Sequence, residues 1–527
     1  MKTRSMLYVV FACISVVTLM LSACGTAATP VPVQVQGRLA APPSAPTAAP
    51  ASAESRPYTG GNTPPNGQAF DAMFFKQYGV NPIIDTEDEH LSTFAMDVDT
   101  ASYTLARRYI NEGHLPPPES VRVEEFINYF NYDYPSPETG AFAIHLEGSP
   151  SPFGGEKYYL LRVGLQGRRI STEQRQDAVL TFVIDVSGSM GWDNRLGLVK
   201  QALNLLVKEL RPTDAVGIVV YGTRARVVLE PTPAANASSI LYAINGLQTE
   251  GSTNAEEGLR MGYQMAARAF RSGAINRVIL CSDGVANVGQ TAADAILREV
   301  KEYAGRDMTL STVGFGMGNY NDVLMEQLAD KGNGNYAYVD TLDEARRVFV
   351  ENLTGTLQVI AQDAKVQVDF DPAAVSRFRL IGYENRAIEN RDFRNDTVDA
   401  GEVGAGHNVT ALYEVKFKED APPSSQGKAL TVYVRYQDPE TGQVREINRT
   451  FARAEFASSF EATSPRFQLA AAVAEYAEIS RQSYWAKGGS LENVQGLAQR
   501  VKQALPGDPD GAEFAQLVSR ASQLAAR

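Results

Sequence analysis

The chain reads as an α/β protein: a doubly wound parallel sheet, flanked by an antiparallel β-sandwich, with helices at the ends of the folded part. Three observations carry this reading. Val179–Ile184, Ala215–Tyr221 and Val278–Cys281 are nearly continuous apolar, β-branched runs, as parallel strands buried on both faces require. Stretches of helical period lie between them, so strands alternate with helices across about 176–355. On both sides of that region the period falls to two, the mark of half-buried antiparallel strands.

Taken in order, residues 1–24 open with Lys2 and Arg4, then an apolar run from Met6 to Leu21, as a secretory signal does. Leu21-Ser22-Ala23-Cys24 resembles the lipobox of bacterial lipoproteins. That resemblance implies cleavage before an acylated Cys24, hence a chain lipid-anchored to a membrane of the bacterial cell envelope, outside the cytoplasm. Residues 25–68 are Ala, Pro, Thr, Ser and Val with hardly a charge, too little apolar surface to fold. Such a tether reaches on the order of 100 Å when polyproline-like.

Segment 69–140 is expected to be helical, with one helix after Asp99-Thr100 and another from Ser120 to Phe130. Asp99 or Thr100 is the expected N-cap of the first. Asp97-Val98-Asp99-Thr100 also resembles the aspartate pair of haloacid-dehalogenase-type phosphatases. Ala101 departs from that pattern and no matching lysine or paired-acid loops follow, so a phosphatase is not the reading taken.

In 141–175, Phe142/Ile144/Leu146 and Tyr159/Leu161/Val163/Leu165 alternate with polar residues, and so do Val366/Val368/Phe370, Val409/Ala411/Tyr413 and Leu430/Val432/Val434 in 356–456. The expectation is one sandwich with the α/β domain of 176–355 inserted between its strands; two separate β modules are the alternative. The tail, 457–527, is helical: Ser464-Pro465 starts one helix, and Leu491, Val494, Leu497 and Val501 share the face of another.

The most informative residues close the first parallel strand. Asp185-Val186-Ser187-Gly188-Ser189 precedes a helix whose Leu196, Val199, Leu203, Leu206 and Leu210 step by three and four. One carboxylate and two hydroxyls on such a strand-to-helix loop suit a hard divalent cation. With Thr253 in Glu250–Asn254 and Asp283 after a second strand, these residues resemble the von Willebrand factor type A domain, a Rossmann-like fold, and its metal-ion-dependent adhesion site. The family pattern, Asp-x-Ser-x-Ser, then Thr, then Asp, falls on Asp185, Ser187, Ser189, Thr253 and Asp283. The resemblance implies a bound cation, Mg2+ first and Mn2+ or Ca2+ next, with a vacant position for the Asp or Glu of a protein partner. Ser92–Tyr103, Leu115–Pro118 and Arg122–Glu125 resemble the N-terminal segment of bacterial lipoproteins that carry such a domain and a C-terminal domain of unknown function.

Several classes fall away. Gly314-Phe315-Gly316-Met317-Gly318 is not a dinucleotide fingerprint and comes late in the sheet. With cleavage before Cys24 and acylation of that residue, Cys281 stands alone, without the means to form an intrachain disulfide. His90, His114, His145 and His407 lack zinc-site spacing. A net charge of −12, with no basic run beyond pairs such as Arg107-Arg108, excludes nucleic acid as the expected partner. The function expected is non-enzymatic, metal-dependent binding of a protein. A metal-dependent hydrolase and an envelope scaffold with a structural metal are the alternatives; the metal loops offer no histidine or lysine as a base.

Overall fold

The computed structural model describes residues 73–527 except 156, 285–289, 318–319 and 420–426. The signal sequence, Cys24 and the tether lie outside the described residues. Among the described residues the first elements are β1 (Ile84–Asp85), β2 (Leu91–Ala95), α1 (Ala101–Asn111) and α2 (Val123–Asn128), followed by β3 (Phe142–Pro150) and β4 (Tyr158–Gly167). The α/β domain follows as β5 (Ala178–Asp185), α3 (Arg195–Glu209), β6 (Ala215–Tyr221), β7 (Ala225–Pro233), α4 (Ala237–Asn245) and α5 (Ala255–Ala269). It continues with β8 (Ile275–Ser282), α6 (Gln290–Ala304), β9 (Met308–Phe315), α7 (Asp322–Lys331), β10 (Tyr336–Val339), α8 (Leu342–Arg346) and α9 (Leu353–Leu357). Then come β11 (Val359–Phe370), β12 (Val375–Ile381), β13 (Gly401–Gly404), β14 (Asn408–Phe417), β15 (Lys428–Gln437) and β16 (Val444–Ala452). Helices α10 (Pro465–Ser480), α11 (Leu491–Ala504) and α12 (Pro509–Ala525) end the chain.

The α/β sheet has the order β10-β9-β8-β5-β6-β7, parallel except for β7 at its edge. Every residue of β5 is buried, which explains its nearly continuous apolar sequence. From β5 the chain steps to β6 on one side, then returns to β8 on the other. The β5/β8 boundary is therefore the topological switch point, where the carboxyl ends of two strands open a crevice.

The sandwich is assembled from both sides of this domain. One sheet runs β1-β12-β14-β4-β3, and the other β13-β11-β15-β16 with β2 also on β11. Strand β4 pairs with β14 from Tyr158 opposite Lys416 to Gln166 opposite Asn408, so the two β regions are one structure. Phe370 and Phe378 stack across its core at 4.3 Å between centroids.

Segment 69–140 holds the two expected helices, α1 and α2, and adds two strands that were not expected. Leu91–Ala95 is a strand on β11, with Phe94 opposite Val366 and buried in the sandwich core. A five-residue strand whose partner lies far along the chain has no local period to announce it. Neither Asp99 nor Thr100 caps α1 through its side chain: Thr100 makes no cap bond, and Asp99 Oδ1 accepts from Tyr336 N at 2.8 Å. Helix α1 itself is split between cores. Ala101, Leu105 and Tyr109 pack with Val183, Leu280 and Tyr263 of the α/β domain, while Tyr103, Ala106 and Ile110 pack with α2 and α10–α12. Arg107 fastens this junction, donating to Asp340, Glu344, Tyr129 and Glu513. A π-helical turn, Arg347–Glu351, separates α8 from α9 at the end of the α/β domain.

Candidate metal centre

Strand β5 delivers Asp185 to the switch point, and the next residues turn back as a 3-10 stretch, Gly188–Asn194, before α3 begins. Asp185 Oδ1 accepts from Ser187 N at 2.8 Å, and its Oδ2 accepts from Ser282 Oγ at 3.0 Å. The Ser187 and Ser189 hydroxyls are 3.0 Å apart. Asp283, one residue beyond β8, is buried alongside.

The third loop is fixed by its backbone. Glu250 N donates to Val186 O at 2.6 Å, Gly188 N donates to Gly251 O at 3.1 Å, and Asn254 N donates to Gly222 O at 3.0 Å. Gly251 has φ +68°, and a Cβ there would lie 2.0 Å from Thr223 Oγ1, so only glycine fits this turn. Thr253, half-buried, sits in this clamped loop just ahead of α5. Asn254, not Thr253, caps α5, accepting from Glu257 N at 3.3 Å. The structure therefore gathers Asp185, Ser187, Ser189 and Asp283 directly, and brings the Thr253 loop against them through its main chain.

Electrostatics at the site are unbalanced. Burial, and then the charge of Asp283, push the Asp185 carboxyl up to about 7. Burial also raises Asp283, opposed by Arg195 and by the Ser189 hydroxyl. Two buried carboxylates beside two hydroxyl oxygens make an all-oxygen donor set, as a hard divalent ion prefers. Cys281, buried in β8 with its thiol pushed up by burial, faces no such role.

Sequence reasoning missed Arg195. This first residue of α3 donates through Nη1 to Asp283 Oδ2 at 2.6 Å, and both side chains are buried. Its signal was an arginine ten residues after Asp185 at the start of an otherwise apolar helix face. A second acidic group also went unread. Asp97, Glu124 and Glu125 are buried with carboxylate oxygens within 4.8 Å of one another. Each is already engaged: Asp97 by Arg386 and Asp99 N, Glu124 by Tyr383 N, and Glu125 by Arg122 and Ser102 N. They fasten the N-terminal segment to the sandwich and, through Arg122 and Asp322, to the α/β domain.

Comparison with known proteins agrees with this architecture. The von Willebrand factor type A domain matches residues 180–354, a pattern described as von Willebrand factor matches 69–162, and the C-terminal domain of uncharacterized protein YfbK matches 355–524. YfbK of Escherichia coli K12 is 37% identical over 474 residues, 85% of this chain and 80% of that one. The chain belongs to the YfbK family. Uncharacterized protein sll0103 of Synechocystis is 25% identical over 294 residues, 55% of this chain and 68% of that protein. Inter-alpha-trypsin inhibitor heavy chain H3 of mouse is 24% identical over 282 residues, 48% of this chain and 30% of that protein. Among solved structures, a von Willebrand factor type A protein from Catenulispora acidiphila is similar with TM-score 0.43 and 15% identity, over 71% of this chain and 89% of that one. Domains of this type commonly mediate protein interactions and often hold a divalent metal.

Proposed function

We propose that this YfbK-family protein captures a protein partner through a divalent cation held by Asp185, Ser187, Ser189, Thr253 and Asp283. A carboxylate of the partner completes the coordination. The observation that carries this reading is the pairing of two buried carboxylates with two hydroxyls 3.0 Å apart, at the switch point of the sheet. Two like charges are buried there side by side, and an ion gives them a role. When bound, the cation supplies an electrophile that takes up a carboxylate. The residues of the chain orient the oxygens and keep water from the rear of the site. Mg2+ is the expected ion, because one or two carboxylates with neutral oxygens and retained water are its usual set. Catalysis is not part of the proposal: the metal loops carry carboxylates and hydroxyls but no histidine or lysine to act as base or nucleophile.

We further propose that this binding takes place outside the cytoplasm, with Cys24 as the lipid anchor. The test is capture of partners from envelope extract by the immobilised protein, with Mg2+ or with EDTA. Retention that disappears with EDTA and in Asp185→Ala, while the circular dichroism spectrum is unchanged, is the expected result. Retention indifferent to both removes the proposal.

A further inference from the structure

Arg195 is built into the site at some expense. Its guanidinium donates to Asp283 Oδ2 and to Met317 O, and lies over the Trp192 ring at 5.6 Å from its centroid. Its Nε is buried without a hydrogen-bond partner among the described residues. Room for it comes from Gly316, at φ +80°, where a Cβ would stand 2.2 Å from that Nε. Burying an arginine against one carboxylate is weakly stabilising at best, and an apolar side chain would pack the same space more favourably. The charge therefore calls for an explanation.

We propose that Arg195 is the fixed counter-cation of the metal centre: it occupies one oxygen of Asp283 and makes an ion-loaded site electropositive, so that an external carboxylate is needed to neutralise it. This rests on the cation reading above. The charges give the logic. Asp185 and Asp283 contribute two negative charges and Arg195 one positive, leaving −1 in the bare site. A divalent ion brings this to +1, and the carboxylate of a partner brings it to zero. Without Arg195 the loaded site would already be neutral, and its attraction for an anion would fall. Arg195 is thus a positioning and specificity residue that acts through Asp283.

The test uses the full chain with Mn2+ and acetate as probes. Free Mn2+ is counted by electron paramagnetic resonance, and acetate binding at the bound ion is read from water-proton relaxation. Removing one positive charge beside a divalent ion in Arg195→Gln is expected to tighten Mn2+ on the order of tenfold and weaken acetate by a similar factor. Arg195→Lys keeps the charge but not the fork, and is expected to hold both affinities within about threefold of wild type. Mn2+ binding in a folded Arg195→Gln that is unchanged or weaker overturns the inference. So does an Arg195→Lys protein that departs more than about tenfold, because Arg195 would then be a mechanical bracket between Asp283 and Met317. Failure of the wild type to bind Mn2+ would instead remove the metal centre itself.

Discussion

Asp185→Asn is the sharpest perturbation of the site, because it separates what the carboxylate does for an ion from what it does for the fold. Burial, and then the neighbouring Asp283, push this carboxyl up to about 7. In the unfolded chain an aspartate titrates near ~3.9. Between those values the native state holds a proton that the unfolded state has lost, so stability falls as pH rises through that window. A gap of about three pH units corresponds to roughly 4 kcal/mol, imposed in full above pH 7. Asparagine removes this cost and keeps the geometry. Its oxygen still accepts from Ser187 N, and its amide can donate to Ser282 Oγ, which turns its own proton to Gly284 O at 3.1 Å. The chelated variant is therefore expected to be about 2–4 kcal/mol more stable than wild type at pH 8. Millimolar Mg2+ should stabilise wild type alone. The assay is urea unfolding followed by Trp192 fluorescence in a Trp485→Phe background, since the chain has two tryptophans. A chelated variant weaker than wild type at pH 8, or one that gains as much from Mg2+, would refute the reasoning.

Two further predictions concern the frame. Burial, and then Arg277, hold the His407 imidazole down at about 4, so the stability it contributes is complete above its ordinary value near ~6.5 and is lost as pH falls toward 4. Wild type should lose about 2–3 kcal/mol more than His407→Gln between pH 7.5 and 4.5 in calorimetry, and parallel losses would count against it. At the foot of β5, Asp214 accepts from both Arg175 amino groups and from the backbone N–H groups of Ala178 and Arg211. Asp214→Ala strands a buried guanidinium and should cost about 3–5 kcal/mol in denaturant unfolding; a loss under ~1 kcal/mol would show that water reaches Arg175.

What could be read from the sequence was what local pattern encodes. The nearly continuous apolar run of β5 announced a strand buried on both faces, and Ser464-Pro465 announced α10, where Ser464 Oγ accepts from Phe467 N at 3.1 Å. Asp185, Ser187 and Ser189 were legible because one loop holds them, and Thr253 and Asp283 because one precedes a recognisable helix, the other follows a recognisable strand, and both fall on the family pattern. Arg195 was not legible. A single arginine opening a helix is ordinary, and its partners Asp283 and Met317 arrive only when three strand ends are brought together. The same holds for β2, for the division of α1 between two cores, and for the engagement of Asp97 and Asp99 with Arg386. Each depends on residues hundreds of positions apart, and no period or motif records such a pairing.

The insertion of the α/β domain between β4 and β11 has a kinetic consequence. Pairing β4 with β14 across an unfolded stretch of roughly 240 residues, most of it the inserted domain, would carry a closure entropy of about 4–5 kcal/mol. Once the inserted domain has collapsed, that stretch becomes a compact body whose two ends emerge near each other, and most of this entropy has already been lost. Refolding should therefore be sequential, with protection of the amides of β5, β6 and β8 preceding that of β4 and β14. The long route between the two sandwich halves is shortened by the domain that occupies it.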